Sequence, residues 1–322
     1  MPQGASAGGS SGPTVAIHDR QLRSWVGARA PVIGDNGWVE VGFSIDSAQG
    51  LSSADELNSV RMAAELGYQS AWTPGRGDAT AFDRCLAWHQ ASGLPTGVSV
   101  VPASGQSPAF YAQQARRVWE ATEGNFVLGI GSGQLAHAAN QMPPYLEMLR
   151  QLLPPELPLY VAALGPRMLR VGTELADGVA LNWCSAEQVA WSRAEVERAA
   201  LAVSRPIPVV AAYIRTAVDP NPGLAGRVLG RAMLEYALGR VAYRKHFERM
   251  GFAEGLRSLG ASGAEPSPEL LSAIGAWGVP GEVRSQFQRL SRGLDLALVR
   301  VLVSEPGDAE SARRVLTECR PN

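Results

Sequence analysis

LPLYVAALGPRMLRVGTELADGVALNW, residues 157–183, reads as strand, helix and strand in a single stretch. Its first part is a short apolar run, the pattern of a strand buried on both faces of a parallel sheet. Gly165 lets the backbone turn sharply. Pro166 has its φ already set for the first helical position and lacks an N–H that would find no intrahelical partner there. PRMLRVGTELA then continues as helix and GVALNW as the second strand. Two strands joined by a crossover helix run parallel, so the unit argues for a parallel sheet covered by helices.

The same alternation extends in both directions. Upstream, VEVGFSID (39–46), YQSAWTPG (68–75), LPTGVSVVP (94–102) and NFVLGIGSG (125–133) read as strands. The segments SSADELNSVRMAAELG, DATAFDRCLAWHQAS, SPAFYAQQARRVWEAT and PPYLEMLRQLL read as the helices between and after them. The first helix opens with Ser53 and Glu56 in capping-box spacing and closes at Gly67. Downstream, SAEQVAWSRAEVERAALAVS has Ser185 and Gln188 in that spacing, and IPVVAAYIRTAV (207–218) is a seventh strand. GEVRSQFQRLSRGLD puts Val283, Phe287, Leu290 and Leu294 on one helical stripe and leads into LALVRVLVSE (296–305), the eighth. A helical tract over 223–259 is longer than one crossover needs and predicts an insertion over one end of the sheet.

Eight strands alternating with helices predict an α/β fold, a (β/α)8 TIM barrel with a helical insertion after strand 7. A doubly wound open sheet would alternate in the same way, but no GxGxxG follows the first strand with an acidic residue ending the second. The expected organisation is a flexible extension over 1–37, whose first thirteen residues have no apolar face to bury, followed by one barrel domain over 38–322.

A formal net charge of −1 provides no basic field for nucleic acid or an anionic membrane, so neither is an expected partner. Cys85, Cys184 and Cys319 are odd in number and lack metal or disulfide spacing. They read as reduced thiols of a cytoplasmic protein. No secretory leader and no bilayer-length apolar run is present in the sequence.

In such a barrel the reacting groups sit at the C-terminal ends of the strands. Those ends are Ser44–Asp46, Thr73–Gly77, Ser99–Pro102, Gly131–Gln134, Ala162–Arg167, Asn182–Trp183, Arg215–Asp219 and Ser304–Glu305. The unpaired amides after Gly165 and Pro166 suit a phosphate, although the pair also serves as ordinary punctuation between strand and helix. GIGSGQ (129–134) lets a flat ring or a phosphate approach the backbone, or simply forms a tight turn. No metal-ligand cluster and no nucleophile motif is present, and His18, His89, His137 and His246 are scattered. Glycine-lined strand ends with few acid or base groups suit a borrowed redox ring better than hydrolysis.

The stretch 157–183 strongly resembles the central segment of luciferase-like, F420-dependent oxidoreductases of actinobacterial type. NFVLGIGSG resembles their fourth strand, GVSVVP their third, GVPGEVRSQFQRL their last helix and AYRKHFERMGF part of their insertion, so the similarity spans about residues 39–303. The resemblance implies F420, or alternatively FMN, as cofactor, a small-molecule substrate and a homodimer. It places a non-prolyl cis peptide at Ser99–Val100, a phosphate loop at Ala162, Ala163, Leu164, Gly165 and Pro166, and a ring-side loop at Gly131, Ser132 and Gly133.

Two positions depart from the family pattern. Thr73-Pro74-Gly75 stands where many relatives have Asp-His, and Gln134 where sugar-phosphate dehydrogenases have glutamate. Both replacements remove proton-handling groups, which disfavours alcohol oxidation and favours reduction of an activated C=C or C=N bond. Phe43, Trp72, Trp183, Tyr243 and His246 are the expected substrate-pocket residues. Gln134, His246 and Tyr243 are the candidates for moving a proton. An FMN-dependent monooxygenase and a non-catalytic cofactor-binding paralogue are the competing readings.

Overall fold

The computed structural model describes residues 39–262 and 265–321. The segment 1–37, expected to be an extension, lies outside them. Eight parallel strands close into a barrel: β1 (Glu40–Ser44), β2 (Ala71–Thr73), β3 (Thr96–Pro102), β4 (Phe126–Gly131), β5 (Leu159–Ala162), β6 (Gly178–Asn182), β7 (Val209–Val218) and, after a short β8 (Gly275–Gly278), β9 (Leu296–Leu302). Closure is made by β1, which pairs with both β2 and β9, and by β7, which joins β6 to β9. The expected (β/α)8 barrel is therefore the observed fold.

The strand β8 was not expected. It pairs with β7 at Arg215–Val218, beyond Tyr213 where β6 stops, and so extends the wall upward at the C-terminal mouth without adding a stave.

Helices α1 (Ser53–Glu65), α2 (Thr80–Ser92), α3 (Pro108–Ala121), α4 (Ala138–Leu152), α5 (Pro166–Leu175) and α6 (Ala186–Ala202) follow the first six strands. The N-cap of α1 is Ser52, which accepts from the Asp55 amide, one residue ahead of the expected Ser53. Ser185 caps α6 through the Gln188 amide as its spacing predicts, and Pro166 opens α5. The insertion comprises α7 (Pro222–Gly239), α8 (Val241–Arg249), α9 (Ala253–Ser262) and α10 (Pro268–Ile274). Helix α11 (Val283–Ser291) buries Val283, Phe287 and Leu290 against the barrel, about 1.5–3 kcal/mol for each such side chain. Helix α12 (Ala309–Glu318) completes the ring. Cys85, Cys184 and Cys319 are buried and unpaired, and burial pushes the Cys85 and Cys184 thiols up to about 12.

Alternate strand residues face the axis. Trp72, Val127, Tyr160, Ala211, Tyr213, Leu296 and Leu298 form one interior cluster, with the Trp72 and Tyr160 rings 5.9 Å apart. Gly97 and Gly178 make room for them, since a Cβ would stand 2.4 Å from the Trp72 ring and 2.6 Å from that of Tyr160. Trp72 thus plugs the barrel and does not line an open pocket. Phe43 is also displaced from its expected role. It points outward into the layer between strands and helices, with Tyr68 at 5.5 Å and Trp88 at 6.3 Å. One position of strand register separates the two faces, and Phe43 lies on the outer one.

Candidate active site

The mouth of the barrel has two sides. On one, the Ser99–Val100 peptide is cis and β3 carries a bulge against β4, with Ser99 and Val100 facing the single residue Gly129 between the pairs Val98–Leu128 and Val101–Ile130. The glycines of β4 exist for this bulge. A Cβ on Gly129 would lie 2.4 Å from the Val98 carbonyl oxygen, and one on Gly131 would lie 2.6 Å from Val100 Cγ2. Gly131 therefore receives Val100, and Val100 and Ser132 are left half-buried. Gly133 has φ 61° and sits where a Cβ would meet Ser104 Oγ at 2.3 Å. Its neighbour Gln134 is exposed on the rim, with its amide bound to Ser104 Oγ at 3.0 Å.

Next to this wall is the loop after β5. Ala163 is buried in the outer core, whereas Ala162, Leu164 and Gly165 are half-buried and Pro166 is exposed. Gly165 caps α5 in extended conformation without a side-chain bond, so the amides of Arg167 and Met168 have no acceptor within the helix. Arg249, the last residue of α8, reaches over this corner. Its guanidinium lies 3.4–3.5 Å from where a Gly165 Cβ would be, and it donates to the Leu164 carbonyl and, at 3.1 Å, to His246 Nδ1. No carboxylate of the described residues pairs with it. A fixed cation above free helix N-terminal amides is an anion site. Nothing in the sequence near Arg249 identifies it as part of this loop.

His246 is fully buried and holds this arrangement in place. Its Nε2 is 3.0 Å from the Trp183 carbonyl, which can only accept, so Nε2 carries the hydrogen and Nδ1 accepts from Arg249. Burial, aided by Arg249, pushes its pKa down to about 4. A neutral imidazole whose one N–H is committed to a carbonyl is not a general acid, and it touches no open pocket. Trp183 is likewise 1% exposed, at φ 54°, packed among Tyr236 and Phe247 of the insertion. Both residues fall outside the expected pocket lining because the insertion closes over them.

Across the mouth, β6, β7 and β9 supply polar groups. Arg300 donates to Ser44 Oγ at 2.8 Å, pairs with Asp46 and lies 5.1 Å from the Tyr213 ring. Burial pushes the Asp46 carboxyl up, but Arg300 and the Ala48 amide together outweigh it and hold it below the usual range. The Tyr213 hydroxyl is buried, with the Ser44 and Ser99 hydroxyls as its polar neighbours. Arg215 donates to Asn182 Oδ1, and Asn182 Nδ2 donates to the Tyr243 hydroxyl oxygen at 2.6 Å. Tyr243 is half-buried, and burial, then Tyr236, pushes its phenol up to about 12. Its oxygen accepts from Asn182, so its own proton is available to a ligand.

Of the expected proton-moving residues, only Tyr243 sits on the mouth with a proton to give. Arg249, Arg300 and Tyr213 were not among the expected site residues. Arginines interrupting the apolar runs VVAAYIRTAV and LALVRVL were a usable signal, because a charge in such a strand has to face the axis or the mouth.

Residues 143–295 match the family model of luciferase-like monooxygenases. The matched span falls just short of half the chain and runs from α4 through the insertion to α11. Several solved structures superimpose on nearly all of the described barrel. An F420-dependent secondary alcohol dehydrogenase in complex with an F420-acetone adduct has a TM-score of 0.68 at 14% identity, over 87% of this chain and 98% of its own. The coenzyme F420-dependent tetrahydromethanopterin reductase from Methanopyrus kandleri has 0.63 at 15% identity, with the same coverage. The oxygenating constituent of 3,6-diketocamphane monooxygenase from Pseudomonas putida, in complex with FMN, has 0.58 at 14% identity, over 88% and 98%. At such identities the shared property is the luciferase-like fold. Among the described residues no helix is long and apolar enough to cross a membrane.

Proposed function

We propose that the chain is a member of the luciferase-like family and acts as an F420-dependent reductase on an activated C=C or C=N bond of a small organic molecule. The observation that carries this reading is the anion corner at Gly165. There the Arg167 and Met168 amides and the unpaired Arg249 guanidinium converge beside the half-buried Val100 and Ala162. These residues fit the phosphate of a ring cofactor, with Val100 at the ring's level. F420, when reduced, supplies a hydride.

The remaining roles belong to the chain itself. Tyr243, protonated at neutral pH and hydrogen-bonded only as an acceptor from Asn182, delivers the proton that reduction of the acceptor consumes. The aromatic face made by Tyr236 and Tyr243, whose centroids are 4.8 Å apart, screens the site from water. A base for alcohol oxidation has no counterpart at the end of β2, where Thr73 Oγ1 is taken by Arg84 at 2.8 Å. Gln134, exposed on the rim, has no acid–base capacity.

FMN is the competing cofactor, because the anion corner would serve its phosphate equally, and a monooxygenase in complex with FMN shares the fold. The preference for F420 rests on the resemblance of 157–183. Fluorescence titration of the purified protein with F420, and with FMN in parallel, tests it. Saturable binding of F420 is expected, and tight FMN binding with none of F420 overturns the cofactor assignment in favour of monooxygenase chemistry. Binding of either without turnover of any unsaturated acceptor would mark a non-catalytic paralogue.

A further inference from the structure

Arg215 and Arg300 are register partners on β7 and β9, both directed into the mouth and only 3% and 5% exposed. The two differ in how their charge is met. Arg300 pairs with Asp46 and Ser44. The groups that meet Arg215 are neutral: Asn182 Oδ1, the Trp183 ring at 3.9 Å and the Tyr236 ring at 4.8 Å. No carboxylate of the described residues pairs with it. Elsewhere the chain matches its poorly exposed arginines with acids, as in Arg84–Glu56 and Arg193–Asp295. An unmatched cation in a desolvated site, next to a second guanidinium, is costly, and stacking on two rings offsets only part of that cost. Burial and the neighbouring Arg300 both work against the charged form of Arg215.

Two further observations point to a ligand at the same place. The Tyr213 hydroxyl is buried with only the neutral Ser44 and Ser99 hydroxyls beside it, and Tyr243 accepts from Asn182 and keeps its own proton for a ligand. With Asp46 set against Arg300, the excess is a single positive charge, which a monoanion balances and a dianion exceeds. The guanidinium rests against the Trp183 and Tyr236 rings, which themselves meet edge to face, and its planar fork of N–H donors matches a carboxylate.

We infer that Arg215, with the Tyr213 and Tyr243 hydroxyls, forms a carboxylate subsite, so that the acceptor is a small α,β-unsaturated or imino acid. The reaction assigned to that acceptor rests on the reductase reading, but the binding does not. A carboxylate bound by Arg215 draws electron density from the conjugated double bond, which makes the β-carbon of an unsaturated acid, or the imine carbon of an imino acid, the better hydride acceptor. Reduced F420, if bound, would supply that carbon with a hydride and its electron pair. The π pair forms the second bond, to the proton that leaves Tyr243, and water returns a proton to the phenol.

The test uses the full chain without added cofactor, with cinnamate, crotonate and pyruvate compared against cinnamamide and crotonamide by calorimetry and thermal shift. At least one acid is expected to bind about 10-fold or more tightly than its amide, the worth of one charge-assisted hydrogen bond. In Arg215→Gln this preference should vanish while the unliganded melting temperature stays level or rises, as for a charge kept for a ligand. Equal binding of acid and amide, no binding of any acid at millimolar concentration, or a preference that survives in Arg215→Gln overturns the subsite. If Arg215→Gln does not fold, Arg215→Lys replaces it. A weakened acid preference there supports the subsite, and an unchanged one overturns it. F420 and FMN titrations of the same proteins separate the two ideas, since failure of both cofactors with the acid preference intact removes the redox reading alone.

Discussion

His246 and Tyr243 lie three residues apart on α8, and burial affects them in opposite ways. For His246 it disfavours the charged form and lowers the pKa from 6.5 to about 4. Between those values the unfolded chain takes up the proton and the folded chain does not, so acidification favours unfolding. The contribution is whole above pH 6.5 and is lost as the pH falls to 4, about 3 kcal/mol at about 1.4 kcal/mol per pH unit. Urea unfolding at successive pH values should therefore show a steeper acid loss for the natural chain than for His246→Gln, and parallel curves would disprove the assignment. For Tyr243, burial keeps the proton on the phenol at neutral pH, which is what a proton donor needs. Tyr243→Phe is expected to lower kcat by about 10²–10⁴-fold while leaving cofactor affinity unchanged. A rise in KM alone, with kcat intact, would reduce Tyr243 to a residue that binds or packs without moving the proton.

Packing of β3 on β4 sets the floor of the site and makes a prediction for two inward-facing glycines on either side of Ile130. An Ala at Gly131 meets only the Val100 side chain, whereas one at Gly129 meets the Val98 carbonyl. Each substitution should cost about 1–3 kcal/mol as overpacking. Val100→Ala should restore most of the loss at 131 and little at 129, as measured by denaturant unfolding. Equal rescue would mean that the bulge yields as a whole. These glycines were visible in GIGSGQ, but their purpose was not, because the sequence gives no sign that a neighbouring strand bulges into them. The same limit applies to other elements. Strands β5 to β7 and the caps at Ser185 and Pro166 were legible because local spacing decides them. GAWG at 275–278 is too short to show alternation and becomes a strand only because β7 offers it an open edge above β6. Helix α4 starts at Ala138, ahead of Pro143 and Pro144, where prolines alone would have begun it. Among site residues, Phe43 and Trp72 could be placed at strand ends but not on a face, since apolar residues lie on both faces of a buried parallel strand.

The insertion and the barrel meet through a few polar links that all lie at the mouth. Arg249 binds the Leu164 carbonyl of the β5 loop, His246 binds the Trp183 carbonyl, and Tyr243 accepts from Asn182. Helix α8 therefore rests on the loop after β5 through a residue that is itself a candidate phosphate ligand. A ligand that draws on Arg249 would be held by both parts of the molecule and should stabilise their contact. Arg249→Gln is expected to weaken FMN or F420 by about 10-fold or more, the scale of a hydrogen bond to a charged group, and to leave riboflavin, which has no phosphate, unaffected. In the natural chain, saturating cofactor should slow amide exchange across Val241–Arg249 together with residues 162–169, and this coupled protection should be absent in the variant. Protection of the loop without α8 would show that Arg249 serves only to brace Leu164, and equal losses for FMN and riboflavin would move the phosphate away from Gly165.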